Sequence, residues 1–184
     1  MDRQARYARW DGVGKPFTVC TTPVPSLLRP REVLVAVDLA TVCGSDLHTV
    51  RGRRPSPAPS VLGHEQVGTV VAVGTDAPVA PGQRVVWSVT ASCGRCARCL
   101  RGLPQKCVEL RKYGHEPLDE ARPLVGGFAT HCLLMPGTEI VPVPEEVPDR
   151  VASPAACATA TVAAVVAAGG RGGAGRGGGG GGGG

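Results

Sequence analysis

Four cysteines inside 15 residues constrain this chain more than any other feature. Cys93, Cys96, Cys99 and Cys107 follow one another at intervals of 3, 3 and 8 residues. Three thiols at every third position, with a fourth one short loop away, can surround one small ion. Structural zinc takes four soft ligands in a tetrahedron, often four thiolates. Four thiolates on Zn²⁺ leave a charge of −2 on the site. Arg95, Arg98, Arg101, Lys106, Arg111 and Lys112 lie in and beside the loop and offset it, or form a solvated face. A metal clip of this kind suits a lobe with little apolar core of its own.

The rest of the chain must supply the core. It has 184 residues, enough for one domain or slightly more, and 42% are hydrophobic but only 3% aromatic. Small aliphatic side chains must therefore do the packing, which suits β structure. The net charge of +5 comes from scattered arginines and does not indicate nucleic acid. Met1 to Cys20 holds no apolar stretch of the ~7–15 residues a signal peptide needs. The eight cysteines then read as metal ligands and free thiols in a reducing cytoplasm. The apolar run Val151 to Ala168 is mostly alanine and falls short of the ~20 strongly apolar residues of a membrane span, so it reads as a buried helix.

Residues 1–30 are polar and proline-rich, with one edge strand expected at Phe17 to Cys20. Glu32 to Val42 alternates, with Val33, Val35, Val37 and Leu39 on one face, and reads as a half-buried strand. Further strands are expected at Gln66 to Val73, Arg84 to Val89, Phe128 to Leu134 and Thr138 to Val143. Many short strands between Gly/Pro turns point to a mainly β chain forming a barrel or partly open sandwich. The cysteine lobe occupies about 91–112. Asp149 to Ala168 is expected as one helix, capped by Asp149 and stopped at Gly169-Gly170. Residues 169–184 are almost all glycine and are expected to form a disordered tail. The tail contains G-x-G-x-x-G at Gly170, Gly172 and Gly175. A dinucleotide fingerprint needs a strand before it and a helix after it, and here a helix precedes.

A second constellation lies outside the lobe. Cys43-Gly-Ser45-Asp46-Leu-His48 follows one strand, and Gly63-His64-Glu65 precedes the next, with His64 21 positions after Cys43. A thiolate and an imidazole at the ends of neighbouring strands can share an ion, and catalytic zinc wants three protein ligands and one open position. Cys157 is the best third ligand. Gly114-His115-Glu116 repeats the second tripeptide, but it follows the charged Arg111-Lys112-Tyr113 and does not lead into an alternating strand. His64 is therefore favoured.

Cys-Gly-Ser-Asp-x-His, then Gly-His-Glu, then the four-cysteine lobe, then Gly126-Gly127-Phe128-Ala129, resemble the zinc-dependent medium-chain alcohol dehydrogenases over about residues 15–168. Arg111 to His115 and Cys157 to Thr161 resemble most the branch associated with phosphonate catabolism. The resemblance implies a GroES-like catalytic β-barrel, here 1–150, with the zinc lobe and an Ala-rich helix, 151–168. It implies two zinc ions, one structural on Cys93, Cys96, Cys99 and Cys107, one catalytic on Cys43, His64 and Cys157. Glu65 would be an exchangeable ligand or a neighbour of the ligands. Ser45 would take the substrate proton and His48 pass it to solvent. The implied reaction oxidises a small-molecule alcohol to an aldehyde or ketone by hydride transfer to NAD or NADP. The family forms homo-oligomers and involves no membrane.

Where the family's Rossmann coenzyme domain is expected, this sequence turns to glycine. The expectation is therefore a truncated or frameshifted, inactive product with no coenzyme site. The family helix carrying Cys157 packs between two domains, so without the second one Cys157 is expected to be poorly held. The rival reading is a zinc-stabilised binding module without catalysis, which leaves Ser45, His48, His64 and Glu65 unexplained.

Overall fold

The structure, a computed structural model, describes residues 4–172, with side chains described as far as residue 167. It is mainly β, built from two antiparallel sheets. The smaller has β1 (Gln4–Trp10) between β2 (Phe17–Pro23) and β4 (Ser60–Val61). The larger runs β7-β6-β5-β3-β8 and curls into a half-barrel. Its strands are β3 (Val33–Thr41), β5 (Glu65–Val73), β6 (Arg84–Ala91), β7 (Arg111–Lys112) and β8 (His131–Leu134). A further strand, β9 (Thr138–Pro142), also pairs with β6.

β3 is central, and its burial departs from the half-buried strand its alternation suggests. Val33 and Val35 enter one apolar cluster with Val70, Val85, Trp87 and Leu134. Leu34, on the opposite face, enters a second with Ala5, Tyr7, Val61, Leu124 and Leu133. The smaller sheet covers the face that alternation alone leaves to solvent. β1 itself is absent from the sequence expectation because its arginines mask the alternation of buried Ala5 and Tyr7.

The strand expected at Phe128 to Leu134 is divided between the sheets. Phe128 and Thr130 bond to Ala8 and Arg6 of β1, whereas His131 to Leu134 pair with β3. This segment therefore ties one sheet to the other.

The cysteine lobe is an excursion between β6 and β7, closed at its base where Thr90 pairs with Lys112 and Ala91 with Arg111. Buried Tyr113 anchors that base: its hydroxyl lies 2.6 Å from Thr138 Oγ1 and accepts the Met135 N–H at 2.7 Å.

The Ala-rich segment departs most from expectation. In place of one helix from 149, a short helix (Asp149–Ala152) passes into a 3₁₀ turn at Ser153–Ala156, and the last helix begins only at Ala158. Pro154 causes the break, since proline in a helix interior removes a hydrogen bond and clashes with the preceding turn. The two parts diverge by 61° across Cys157. Pro148, not Asp149, occupies the N-cap position.

Nor is the segment a uniformly buried helix: Ala152 and Ser153 are buried, but Val162, Val165 and Val166 are exposed. No single described helix is long and apolar enough to cross a membrane, although this bent pair meets the length and composition test together. The helix runs on through Gly172, past the expected stop, so residues 169–172 are helix rather than tail. The expected disorder of 173–184 lies outside the described residues.

Candidate metal centres and active site

In the lobe, the four sulfurs of Cys93, Cys96, Cys99 and Cys107 all lie within 4.8 Å of one another. Cys93 and Cys107 approach to 3.4 Å, and Cys96 and Cys99 to 3.6 Å. Zn–S bonds of ~2.3 Å in a tetrahedron place sulfurs about 3.8 Å apart, so the cluster fits such an ion. The backbone is arranged for anionic sulfur. The N–H groups of Cys93 and Glu109 both donate to Cys107 Sγ at 3.3 Å. Bonds from the backbone of Cys99 and Val108 draw the Cys96 thiol down to about 6, and the Cys93 N–H lowers Cys107. Cys99, desolvated and flanked by the other sulfurs, is pushed up to about 11. One ion would replace the protons these thiols otherwise share. Of the surrounding cations, Arg95 pairs with Glu109 at 3.0 Å and Arg111 with Glu116 at 2.9 Å.

The second cluster is assembled by strand register. β3 and β5 pair antiparallel and end with Thr41 opposite Glu65. Cys43, just past one strand, and His64, just before the other, therefore meet at the same end of the sheet. Cys157 arrives from the 3₁₀ turn, placing its sulfur 4.0 Å from that of Cys43. The donor atoms of Cys43, His64 and Cys157 lie within 4.8 Å of one another. Two sulfurs and one imidazole at that spacing fit three-coordinate protein ligation of zinc with a position to spare.

Each donor is positioned by neighbours. Cys43 precedes α1 (Gly44–Val50), and Asp46 in the first turn of that helix accepts the Cys43 N–H at 3.0 Å. The other carboxylate oxygen of Asp46 faces His64 Nδ1 at 3.4 Å. That separation, which is long for a hydrogen bond, sets an electrostatic orientation of the ring. Nε2 is thereby left for the cluster, where Ser45 Oγ lies 3.2 Å from it. Burial opposes charge on His64, but Asp46 outweighs it and raises the imidazole. Burial also opposes the Cys43 thiolate, yet the hydrogen bonds from Ser45 and His64 win and lower that thiol. Cys157, desolvated and facing the Cys43 and Glu65 charges, is pushed up to about 12.

Glu65 does not join the three-atom group. Its carboxylate accepts the Thr41 hydroxyl at 3.0 Å and lies against Cys157 from outside. His48 sits exposed one turn beyond Ser45 on α1.

Three residues that sequence reasoning missed complete the centre. Ser153, fully buried, donates to the Glu65 carbonyl at 3.0 Å and touches Thr41 Oγ1 at 3.1 Å. Arg84 clasps Asp149 Oδ1 through Nε at 2.9 Å and Nη2 at 2.6 Å. These contacts dock the segment that carries Cys157, contrary to the expectation that it is poorly held. The third residue is His115, which the sequence offers only as a repeat of the favoured motif. Its ring lies 4.9 Å from that of His64, and Gly114 is backed directly against the Gly63 backbone. The two Gly-His-Glu tripeptides are neighbours in space, and the repetition was the signal.

Comparison with known proteins agrees. The alcohol dehydrogenase GroES-like domain family matches residues 29–145, well over half of the chain. The chain belongs to the GroES-like alcohol dehydrogenases. Zinc-type alcohol dehydrogenase B of Aspergillus flavus is 38% identical over 101 residues, which cover 54% of this chain and 24% of that protein. An alcohol dehydrogenase of Thermotoga maritima superposes with a TM-score of 0.78 at 30% identity, over 86% of this chain and 46% of the other. An alcohol dehydrogenase of Escherichia coli complexed with the cofactor NADH superposes with a TM-score of 0.74 at 31% identity, over 91% and 46%. The chain thus spans roughly a quarter to two-fifths of the curated relatives it matches and about half of these solved chains. This GroES-like domain pairs a four-cysteine lobe with a mixed cysteine–histidine cluster.

Proposed function

We propose that this chain is the catalytic portion of a zinc-dependent alcohol dehydrogenase, with Cys43, His64 and Cys157 as ligands of the catalytic ion and the lobe cysteines as ligands of a structural one. The observation that carries the reading is the convergence of those three donors from three separate segments within 4.8 Å, with Ser45 against them. A bound zinc supplies Lewis acidity, lowering the pKa of an alcohol oxygen held at the open position.

The chain's own residues do the rest. Asp46 holds His64 so that Nε2 faces the cluster, and Glu65, fixed by Thr41, sits outside as a neighbour of Cys157. With Nε2 given over to an ion, the Ser45 hydroxyl would be free of it and would take the substrate hydroxyl proton as it hands on its own. His48, exposed on the same face of α1, passes that proton to solvent. A nicotinamide coenzyme, when bound, would supply the hydride acceptor, so that the alcohol would give up one proton to water through these residues and one hydride to the coenzyme to become an aldehyde or ketone. The substrate is a small molecule, and neither nucleic acid nor a membrane takes part. We take the catalytic unit as 1–150 and the segment 151–168 as the lead into the coenzyme domain that the resemblance implies.

Cobalt substitution tests the ligand set, because Co²⁺ in a tetrahedral thiolate site absorbs in the visible. Two Co²⁺ per chain are expected, with Cys157→Ser abolishing one and leaving the lobe's band intact. One Co²⁺ per chain in the parent protein would overturn the catalytic assignment.

A further inference from the structure

His64 is held at two edges, which leaves the plane of its ring to be set by something else. Asp46 Oδ1 faces Nδ1 at 3.4 Å, and Ser45 Oγ lies 3.2 Å from Nε2. The first separation is too long to fix the ring as a short hydrogen bond does. The last torsion of a histidine side chain is broad and roughly two-fold, so packing against the ring must set its plane. His115 supplies that packing. Its ring centroid lies 4.9 Å from that of His64 with the planes tilted by 37°, within the range of aromatic pairs. His115 does not join the three-donor group. It reaches the candidate catalytic centre through His64.

The chain builds a support for that second ring. Residues 111–116 form a turn closed on itself. Glu116 accepts the Lys112 N–H at 2.8 Å and Arg111 Nε–H at 2.9 Å, and the His115 N–H reaches the Lys112 carbonyl at 3.2 Å. The Tyr113 N–H anchors the turn on β6 through the Val89 carbonyl at 2.9 Å, and the Gly114 N–H ties it to the Val125 carbonyl at 3.0 Å. At Gly114 φ is +73°, and a Cβ there would strike the Gly63 carbonyl oxygen, so only glycine permits the approach. That carbonyl also receives the Gly127 N–H at 2.8 Å. The residue before His64 and the residue before His115 are thus pressed backbone to backbone, which fixes the spacing of the two rings.

We propose that His115 is a positioning residue for the candidate catalytic ion, holding the His64 imidazole in the plane that presents Nε2 to the cluster. This rests on the three-ligand reading above and deepens it. Asp46 and His115 divide the work. Asp46 selects which edge of the ring faces the cluster, because it attracts the proton on Nδ1. His115 limits how far the ring rotates about its last torsion. A ring free to rotate would offer Nε2 to an ion only part of the time, and apparent affinity falls with that fraction.

Nitrogen–proton spectra of the histidine rings in the metal-free full chain, at alkaline pH, read the ring directly. One His64 tautomer is expected, with the proton on Nδ1. His115→Ala is expected to mix the two tautomers, and His115→Phe, which keeps a flat ring, to restore the single one. Titration with Co²⁺ supplies a second readout. His115→Ala weakens the Cys43 centre about 2- to 10-fold, the scale of one aromatic pair, and moves its visible band. His115→Phe recovers both, and the lobe's band stays unchanged in either variant. A single tautomer in His115→Ala, or equal weakening at both centres, overturns this inference. So does a failure of His115→Phe to restore what His115→Ala loses. Absence of the Cys43 band in the parent chain overturns the three-ligand reading, and the ring spectra then still decide whether His115 holds His64.

Discussion

Ser153→Ala probes whether the Cys157 segment is docked by the contacts described. Ser153 is fully buried, and its hydroxyl donates to the Glu65 carbonyl at 3.0 Å while touching Thr41 Oγ1 at 3.1 Å. Thr41 in turn donates to Glu65 Oε2, so two hydroxyl protons serve three contacts. Alanine removes the donor that the Glu65 carbonyl receives from the turn, at a fully buried junction. That costs about 1–3 kcal/mol. The cost falls on the junction of the 3₁₀ turn with β3 and β5, four residues before Cys157. Metal binding at Cys43, His64 and Cys157 requires the docked arrangement, so its apparent affinity falls with the docked population. The converted loss is about 5- to 150-fold. The lobe, closed by its own ligands, is expected to be unaffected. Chelator competition, reading the two Co²⁺ bands separately, measures both affinities in one titration. Unchanged affinity at the Cys43 centre would refute the docking argument, and so would parallel weakening at both centres.

Further outcomes rest on the same geometry. Cys96→Ser is expected to remove one metal ion per chain and disorder about residues 91–112, with the β-sheets intact, because metal binding there is local folding energy. Metal analysis and amide exchange check it. Gly114→Ala is expected to lower stability by at least about 1–2 kcal/mol, since φ is +73° there and a Cβ would strike the Gly63 backbone. Thermal unfolding reads that loss, and a change of the His64-centred cobalt band shows that the two tripeptides are mechanically joined. The 184-residue chain alone is expected to show no alcohol-dependent reduction of NAD or NADP, because its G-x-G-x-x-G at Gly170 begins inside the last helix rather than after a strand. Calorimetric binding of either coenzyme would contradict this.

The lobe was legible because all its ligands lie between Cys93 and Cys107, where spacing alone encodes proximity. The Cys43–His64 pair was half legible: strand ends could be read, but which ends meet depends on the register of Thr41 opposite Glu65, which is a long-range property. Pro154 was visible in the Ala-rich run and announces the break that aims Cys157; composition hid it. β1 escaped because its arginines project outward between buried Ala5 and Tyr7 and give the stretch a polar look. Ser153 and Thr41 carried no signal at all. A serine and a threonine 112 residues apart acquire meaning only when the fold brings them to 3.1 Å.

The two sulfur clusters also differ in how much chain each must enclose. Cys93 and Cys107 close a loop of 14 residues, whereas Cys43 and Cys157 close one of 114. Three doublings of loop length add about 2 kcal/mol of closure entropy, so the wider clasp cannot gather its own chain and waits for the sheets to do so. During synthesis all four lobe cysteines emerge 50 residues before Cys157. On the two-ion reading proposed above, the lobe would take its ion while the chain is still growing. On that reading a second ion would enter only when β3, β5 and the last turn have met, and its capture would date that meeting.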